Sequence, residues 1–131
     1  MKVIIAGGRD IEVSLYEIGQ LLELAGFTPT EVVSGRQTGI DTCGERWAKA
    51  HRIHVEPFPA DWDDLTQPDA IIRTRRDGKK YDAMAGPRRN RKMAEYADAL
   101  LLIWNGKSPG SARMLSEARK HGLKIYEFVV K

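Results

Sequence analysis

The chain has 131 residues, 42% of them apolar, and 21 Lys/Arg against 18 Asp/Glu give a formal charge of +3. That size suits one core, so one domain over 1–131 is expected, and no apolar run is long enough to span a membrane. No signal peptide is expected either, because Gly7, Gly8 and Arg9 interrupt the first apolar run. The single cysteine, Cys43, excludes an internal disulfide and suits a reducing, cytoplasmic setting, and no Cys/His spacing suggests zinc. Mild basicity, with a pI near 9.1, favours an anionic ligand without specifying nucleic acid.

The predicted elements alternate between strand and helix. Lys2–Ala6 reads as a buried strand. Ser14 and Glu17 then have the spacing of a capping box, Leu15, Ile18, Leu22 and Ala25 follow a helical period, and Gly26 suits a helix stop. Glu31–Ser34 is a short second strand. Thr42 and Glu45 offer a second capping pair, for a helix with Cys43, Trp47 and Ala50 on one stripe. Ile53–Phe58 is a third strand. Pro87 opens a helix carrying Met93, Ala94 and Ala97. Ala99–Trp104 is the most continuous apolar run, as in a central parallel strand. Ser111 caps a last helix with Met114, Leu115 and Ala118, and Leu123–Val130 is the final strand. The pattern predicts a Rossmann-like, doubly wound α/β fold, mostly parallel, with about five strands and helices on both faces.

Residues 62–85 break the rhythm. Asp77-Gly78 suits a tight turn between Ile71–Arg76 and Lys79–Ala83, so an inserted loop or hairpin is expected there. A lid, binding loop or oligomer contact and a solvated basic ribbon are equally good accounts of it.

Three loops follow predicted strands: Gly7-Gly8-Arg9-Asp10, then Ser34-Gly35-Arg36-Gln37-Thr38-Gly39-Ile40-Asp41, then Asn105-Gly106-Lys107-Ser108-Pro109-Gly110-Ser111. Loops at the carboxyl ends of parallel strands converge on one crevice. Glycine, hydroxyl and cationic residues there suit phosphate. Gly106-Lys107-Ser108 is not a P-loop, since Leu101 occupies the earlier glycine position, and no G-x-G-x-x-G fingerprint follows the first strand. Arg88, Arg89, Arg91 and Lys92 cluster at the third predicted helix, where the dipole favours anions. Trp62 either stacks on a base or pins its loop. Asp10, Asp41 and Asp61 each close a loop; helix capping is favoured for Asp41, and the other two stay open between turn formation and ligand or acid/base work.

Several of these segments resemble the YspA-like family of the SLOG superfamily, Rossmann-like domains related to the LOG enzymes and to DprA. The resemblance rests on Ile4-Ile5-Ala6-Gly7-Gly8-Arg9-Asp10, Val33-Ser34-Gly35, Gly39-Ile40-Asp41, Phe58-Pro59-Ala60-Asp61-Trp62, Ala85-Gly86-Pro87, Arg89-Asn90 and Gly106-Lys107-Ser108, nearly end to end. It implies a nucleotide or nucleotide-derived ligand but no settled reaction. LOG enzymes carry a catalytic glutamate after a Gly-Thr. Aligning Gly110-Ser111 with that pair puts Met114 at its position, and Glu117 is one turn too late. Arg36 and Gln37 are bulkier than the family pattern, which favours direct Arg–phosphate pairing over amide contacts.

The expected site therefore draws on all three loops. Amides of Gly7, Gly8 and of Gly106, Lys107, Ser108, Gly110 and Ser111 hold phosphate, and Arg9, Arg36 and Arg89 neutralise it. Asp10, Asn90 and Trp62 contact ribose or base, and Ser34, Gly35, Thr38, Gly39 and Asp41 complete the second loop. The expected ligand is a nucleotide or ADP-ribose-like molecule, bound by a sensor or sequestering protein that forms a homodimer or larger homo-oligomer. No cofactor, metal or membrane partner is expected. The alternatives are a LOG-like N-glycosidic hydrolase and a DNA-associated module, the latter suggested by basic Arg73–Lys80.

Overall fold

The computed structural model describes residues 1–130. The chain begins with strand β1 (Lys2–Gly7), helix α1 (Leu15–Ala25), β2 (Glu31–Ser34), α2 (Ile40–Ala50) and β3 (His54–Pro57). A hairpin follows, of β4 (Ile72–Thr74) and β5 (Lys80–Asp82), then α3 (Ala85–Tyr96), β6 (Ala99–Trp104), α4 (Pro109–Lys120) and β7 (Lys124–Val129). The five long-range strands form one sheet in the order β3-β2-β1-β6-β7, every pair parallel. The direction of winding reverses between β1 and β6, so this is the doubly wound α/β fold the alternating pattern predicts.

Strand geometry sends successive side chains to opposite faces. Val3 and Ile5 of β1 enter the core under α1 and α2, with Ile18, Leu22, Ile40 and Trp47. Ile4 and Ala6 enter the other, under α3 and α4, with Met93, Ala94, Met114 and Leu115. β6 lies between β1 and β7 and is covered on both faces, so all six of its residues are buried. That placement is why Ala99–Trp104 reads as an unbroken apolar run rather than an alternating one.

Ser14 and Glu17 form the reciprocal capping box, and Gly26 ends α1 in the left-handed conformation at φ 75°. Other helix starts differ from expectation. α2 begins at Ile40 behind Gly39, whose φ of 76° turns the chain into the helix. The Thr42/Glu45 capping pair does not form: Thr42 Oγ1 donates to the Gln37 carbonyl, and Glu45 accepts from Ser34 and Arg36. α3 begins at Ala85, with Pro87 still inside the first turn, where a missing N–H costs no intrahelical bond. Ser108, not Ser111, is the N-cap position of α4, with Pro109 first in the helix.

The hairpin turns at Asp77-Gly78, where Gly78 takes φ 85° and its amide donates to the Arg75 carbonyl. Its paired strands are shorter than the sequence suggests, and its outer residues are exposed. Its base is fixed by Asp82, which is fully buried. Asp82 Oδ1 accepts from the amides of Ile71 (3.0 Å) and Met84 (2.9 Å), and Oδ2 accepts from Arg88 (3.0 Å). Burial opposes ionisation of Asp82, but these amides and the guanidinium outweigh it and hold the carboxyl below its usual range. Arg88 also pairs with Asp69, which closes the segment onto α3.

Leu101 is fully buried at the centre of β6. Leu101→Ala is expected to destabilise the fold by about 2–5 kcal/mol, through lost transfer energy and the cavity left behind. Urea unfolding checks this; a loss below about 1 kcal/mol would mean that the centre of the sheet repacks freely.

Candidate functional site

The winding reversal leaves a cleft of about 580 Å³ at the carboxyl ends of β1 and β6. A crevice at such a point is where open α/β sheets bind ligands, and its volume lies within the range of about 300–1,000 Å³ usual for ligand pockets. Its walls come from the loops after β1 and β6, the first turns of α2, α3 and α4, and Trp62.

The loop after β1 is drawn tightly against β6. A Cβ on Gly7 would lie 1.8 Å from the Ile103 carbonyl oxygen, so only glycine fits. The Gly8 amide donates to that same carbonyl (3.0 Å), and the Gly8 carbonyl accepts from the Ile40 amide (3.2 Å). Gly7 and Gly8 therefore border the cleft as close-packing elements, and the Gly8 amide is already engaged. Arg9 and Asp10 follow at the rim, both exposed.

The second loop divides. Ser34 is buried and its Oγ donates to Glu45. Arg36 has a left-handed φ of 62°, and its guanidinium bonds Glu45 at 2.8 Å, which points it into an ion pair outside the cleft lining. Thr38 Oγ1 donates to the Arg9 carbonyl, and Gly39 starts α2; neither lines the cleft. Gln37 and Asp41 do line it. Asp41 is 5% exposed and accepts from the Gln37 amide (3.3 Å). It sits inside α2 rather than at its N-cap, so it does not cap the helix. Burial pushes its carboxyl up to about 6, against the lowering effect of the Gln37 amide and of Arg89 nearby.

Arg89 and Asn90 come from the first turns of α3 and are both buried. Arg89 Nε donates to Asn90 Oδ1 (2.9 Å) and Nη1 to the Gly35 carbonyl (2.5 Å). Those bonds use two of the three guanidinium nitrogens and fix the side chain on the cleft wall, with Nη2 remaining. Burial lowers the Arg89 pKa and Asp41 raises it, yet a guanidinium stays charged at physiological pH.

The loop after β6 is shaped by Asn105, whose Oδ1 accepts from the Lys107 and Ser108 amides at 2.8 and 2.9 Å. These two amides are thereby occupied, and Gly106 and Lys107 stand outside the lining. Ser108, Gly110 and Ser111 border the cleft, and no side chain caps α4. The first-turn amides of Gly110 and Ser111 have no intrahelical acceptor. Met114, 3% exposed, also lines the cleft, which puts the LOG-type glutamate position inside it. Glu117 does not line it, and its Oε2 is 3.6 Å from His121 Nδ1.

Sequence reasoning missed Gln37, Asn105 and Arg113 as lining residues. Asn105 is the first residue of the glycine-bearing loop after β6, and an Asn at that position is the available signal; nothing local marks Arg113. Away from the cleft, ligand atoms of Glu31, His54 and Glu56 lie within 4.8 Å of one another across β2 and β3. Glu31 already accepts from Tyr96, and Glu56 is bonded to His54.

Fold and cleft together define a Rossmann-like α/β domain with an arginine-bearing cleft at its switch point. The family model of the YspA, cpYpsA-related SLOG family matches residues 1–64, so the segment from β1 through β3 to the loop bearing Trp62 is similar to that family. The later motifs, from Ala85-Gly86-Pro87 onward, lie beyond the matched residues. Comparison with curated proteins and with solved structures gave no match. Among the described residues no helix is long and apolar enough to cross a membrane.

The Asp41 carboxyl rises from 3.8 to about 6 on folding. Between those values the folded chain holds a proton that the unfolded chain has lost. The contribution of Asp41 to stability therefore falls as pH rises from about 4 to about 6, by on the order of 3 kcal/mol. Asp41→Asn removes this penalty, so its melting temperature relative to wild type is expected to climb across that interval and level off above it. An offset that is flat between pH 4.5 and 7.5 would show that ionising Asp41 in the fold is not costly.

Proposed function

We propose that the cleft binds a nucleotide or nucleotide-derived, ADP-ribose-like molecule, and that the protein acts as a sensor or sequestering protein for it. The observation that carries this reading is the meeting of Arg9, Arg89 and the uncapped first turn of α4 in one crevice. Two guanidinium groups and first-turn amides are strong phosphate partners. Asn90 and Asp10 offer hydrogen-bonding groups for a ribose, and Trp62 offers an aromatic face. The expected homo-oligomer and cytoplasmic setting belong to the same reading. In support of the former, the edge strand β7 exposes Phe128 and Val129.

A second reading, LOG-like N-glycosidic hydrolysis, is favoured by one observation: Asp41 is a cleft carboxyl that burial pushes up to about 6. Met114 speaks against it, since a thioether carries no proton for acid/base work. The binding reading ranks first because Asp41 is 5% exposed and held by the Gln37 amide.

Ligand at 100 times its dissociation constant is expected to stabilise the fold by about 2.7 kcal/mol. A thermal-shift panel of mono-, di- and cyclic nucleotides plus ADP-ribose tests this, and no shift at millimolar concentrations sinks the reading. Arg9→Ala, at an exposed position, is expected to keep the fold and to weaken binding by about 1.5–3 kcal/mol. Release of free base from nucleoside monophosphates, followed by chromatography, is expected to be absent. Robust turnover that Asp41→Asn abolishes would put the hydrolase first.

A further inference from the structure

Beside the main cleft lies a second cavity of about 520 Å³, lined by Arg9, Gln37, Trp62, Arg75, Tyr81 and Ala83. Arg9, Gln37, Trp62 and Ala83 line both cavities, so the two are lobes of one depression. What distinguishes the outer lobe is the β4–β5 hairpin, which supplies Arg75 and Tyr81.

We propose that this outer lobe is a second nucleoside subsite, so that the ligand is a dinucleotide, two nucleosides joined through phosphate, rather than a mononucleotide. The inference rests on the nucleotide reading of the inner cleft and extends it. Its chemistry follows from three observations. First, Arg9 stands between the lobes, where a linking phosphate or pyrophosphate would meet a cation. Second, the outer lobe has two aromatic rings: Trp62 and Tyr81 lie 6.3 Å apart at 66°, and the Arg75 guanidinium is 5.0 Å from the Tyr81 centroid. Aromatic faces with a stacked guanidinium suit a nucleobase and its phosphate. Third, the subsite is fixed in place. Trp62 lies over the first turn of α3, where a Cβ on Gly86 would be 2.8 Å from its Cη2. The Trp62 carbonyl accepts from the Asp82 amide (2.8 Å), and Asp82 is the buried anchor of the hairpin. The aromatic wall is therefore held by α3, the helix that also carries Arg89.

A long nucleic-acid strand along the basic hairpin would use some of the same residues. The inner cleft is bounded on several sides by the loops after β1 and β6 and the first turns of α2, α3 and α4, which favours the small ligand, because a single strand tracks a continuous groove. Stacking a base on an aromatic side chain corresponds to about 5- to 150-fold in affinity.

The test is calorimetric titration of the full chain with the four nucleoside monophosphates and with the symmetric dinucleoside pyrophosphates of the same bases. A single-stranded DNA 12-mer is run in parallel. The best dinucleotide is expected to bind about tenfold or more tightly than its mononucleotide. Arg75→Ala and Tyr81→Leu are each expected to shrink that ratio toward one. Arg75 is exposed, so its variant keeps the comparison valid if the Tyr81 variant fails to fold. Mononucleotide binding with no dinucleotide advantage, or a ratio untouched by Arg75→Ala, overturns the second subsite and leaves the nucleotide reading intact. No binding by any nucleotide overturns both. Tight, salt-dependent binding of the 12-mer that exceeds every dinucleotide and is lost in Arg75→Ala overturns the proposal in favour of a nucleic-acid surface.

Discussion

The pairing of β1 with β6 is the constraint on which the rest of the molecule depends. The two strands are far apart in sequence and adjacent in space, with Gly7 opposite Ile103. Because winding reverses there, the connections on either side leave by opposite faces and open a crevice between them. The missing Gly7 side chain lets the turn after β1 close onto β6, and the Gly8 amide fastens it to Ile103. The Gly8 carbonyl then receives the Ile40 amide, so the same turn sets where α2 begins. Asp41 is one residue further on. A contact made for sheet packing thus also places a buried carboxyl on the cleft wall.

The architecture was legible because its signals are periodic and repeated. An unbroken apolar run at Ala99–Trp104, a capping box at Ser14 and Glu17, and glycine-bearing loops after successive strands all point to one fold. The helix starts were less legible, since several residues near each start are able to cap and only tertiary contacts choose among them. Glu45 shows this: its carboxylate is taken by Ser34 and Arg36 from the preceding loop and so does not reach back to its own helix. The same choice decides the arginines. Arg36 looks like a phosphate ligand in a glycine loop until Glu45 is brought beside it, and that meeting depends on how α2 packs on β2. The state of Asp41 was equally hidden, because it follows from desolvation, which is a property of the folded interior and not of neighbours in sequence.

Arg88 and Arg89 show how one helical step separates structure from site. Consecutive residues on a helix point about 100° apart. Arg88 turns toward Asp82 and Asp69 and holds down the hairpin; Arg89 turns toward Gly35, Asn90 and the cleft. Removing a partner from a buried charge costs more than the pair contributes, so both arginines are locked into their separate tasks. The first turns of α3 consequently join two parts that the sequence presents as unrelated. Through Arg88 and Asp82 they fix the hairpin, and through Arg89 they reach the loop after β2. Any change in the angle at which α3 enters would move Trp62, Tyr81 and Arg89 together. The exposed hairpin is therefore a wall of the same depression as the cleft, built on the helix that supplies its buried cation.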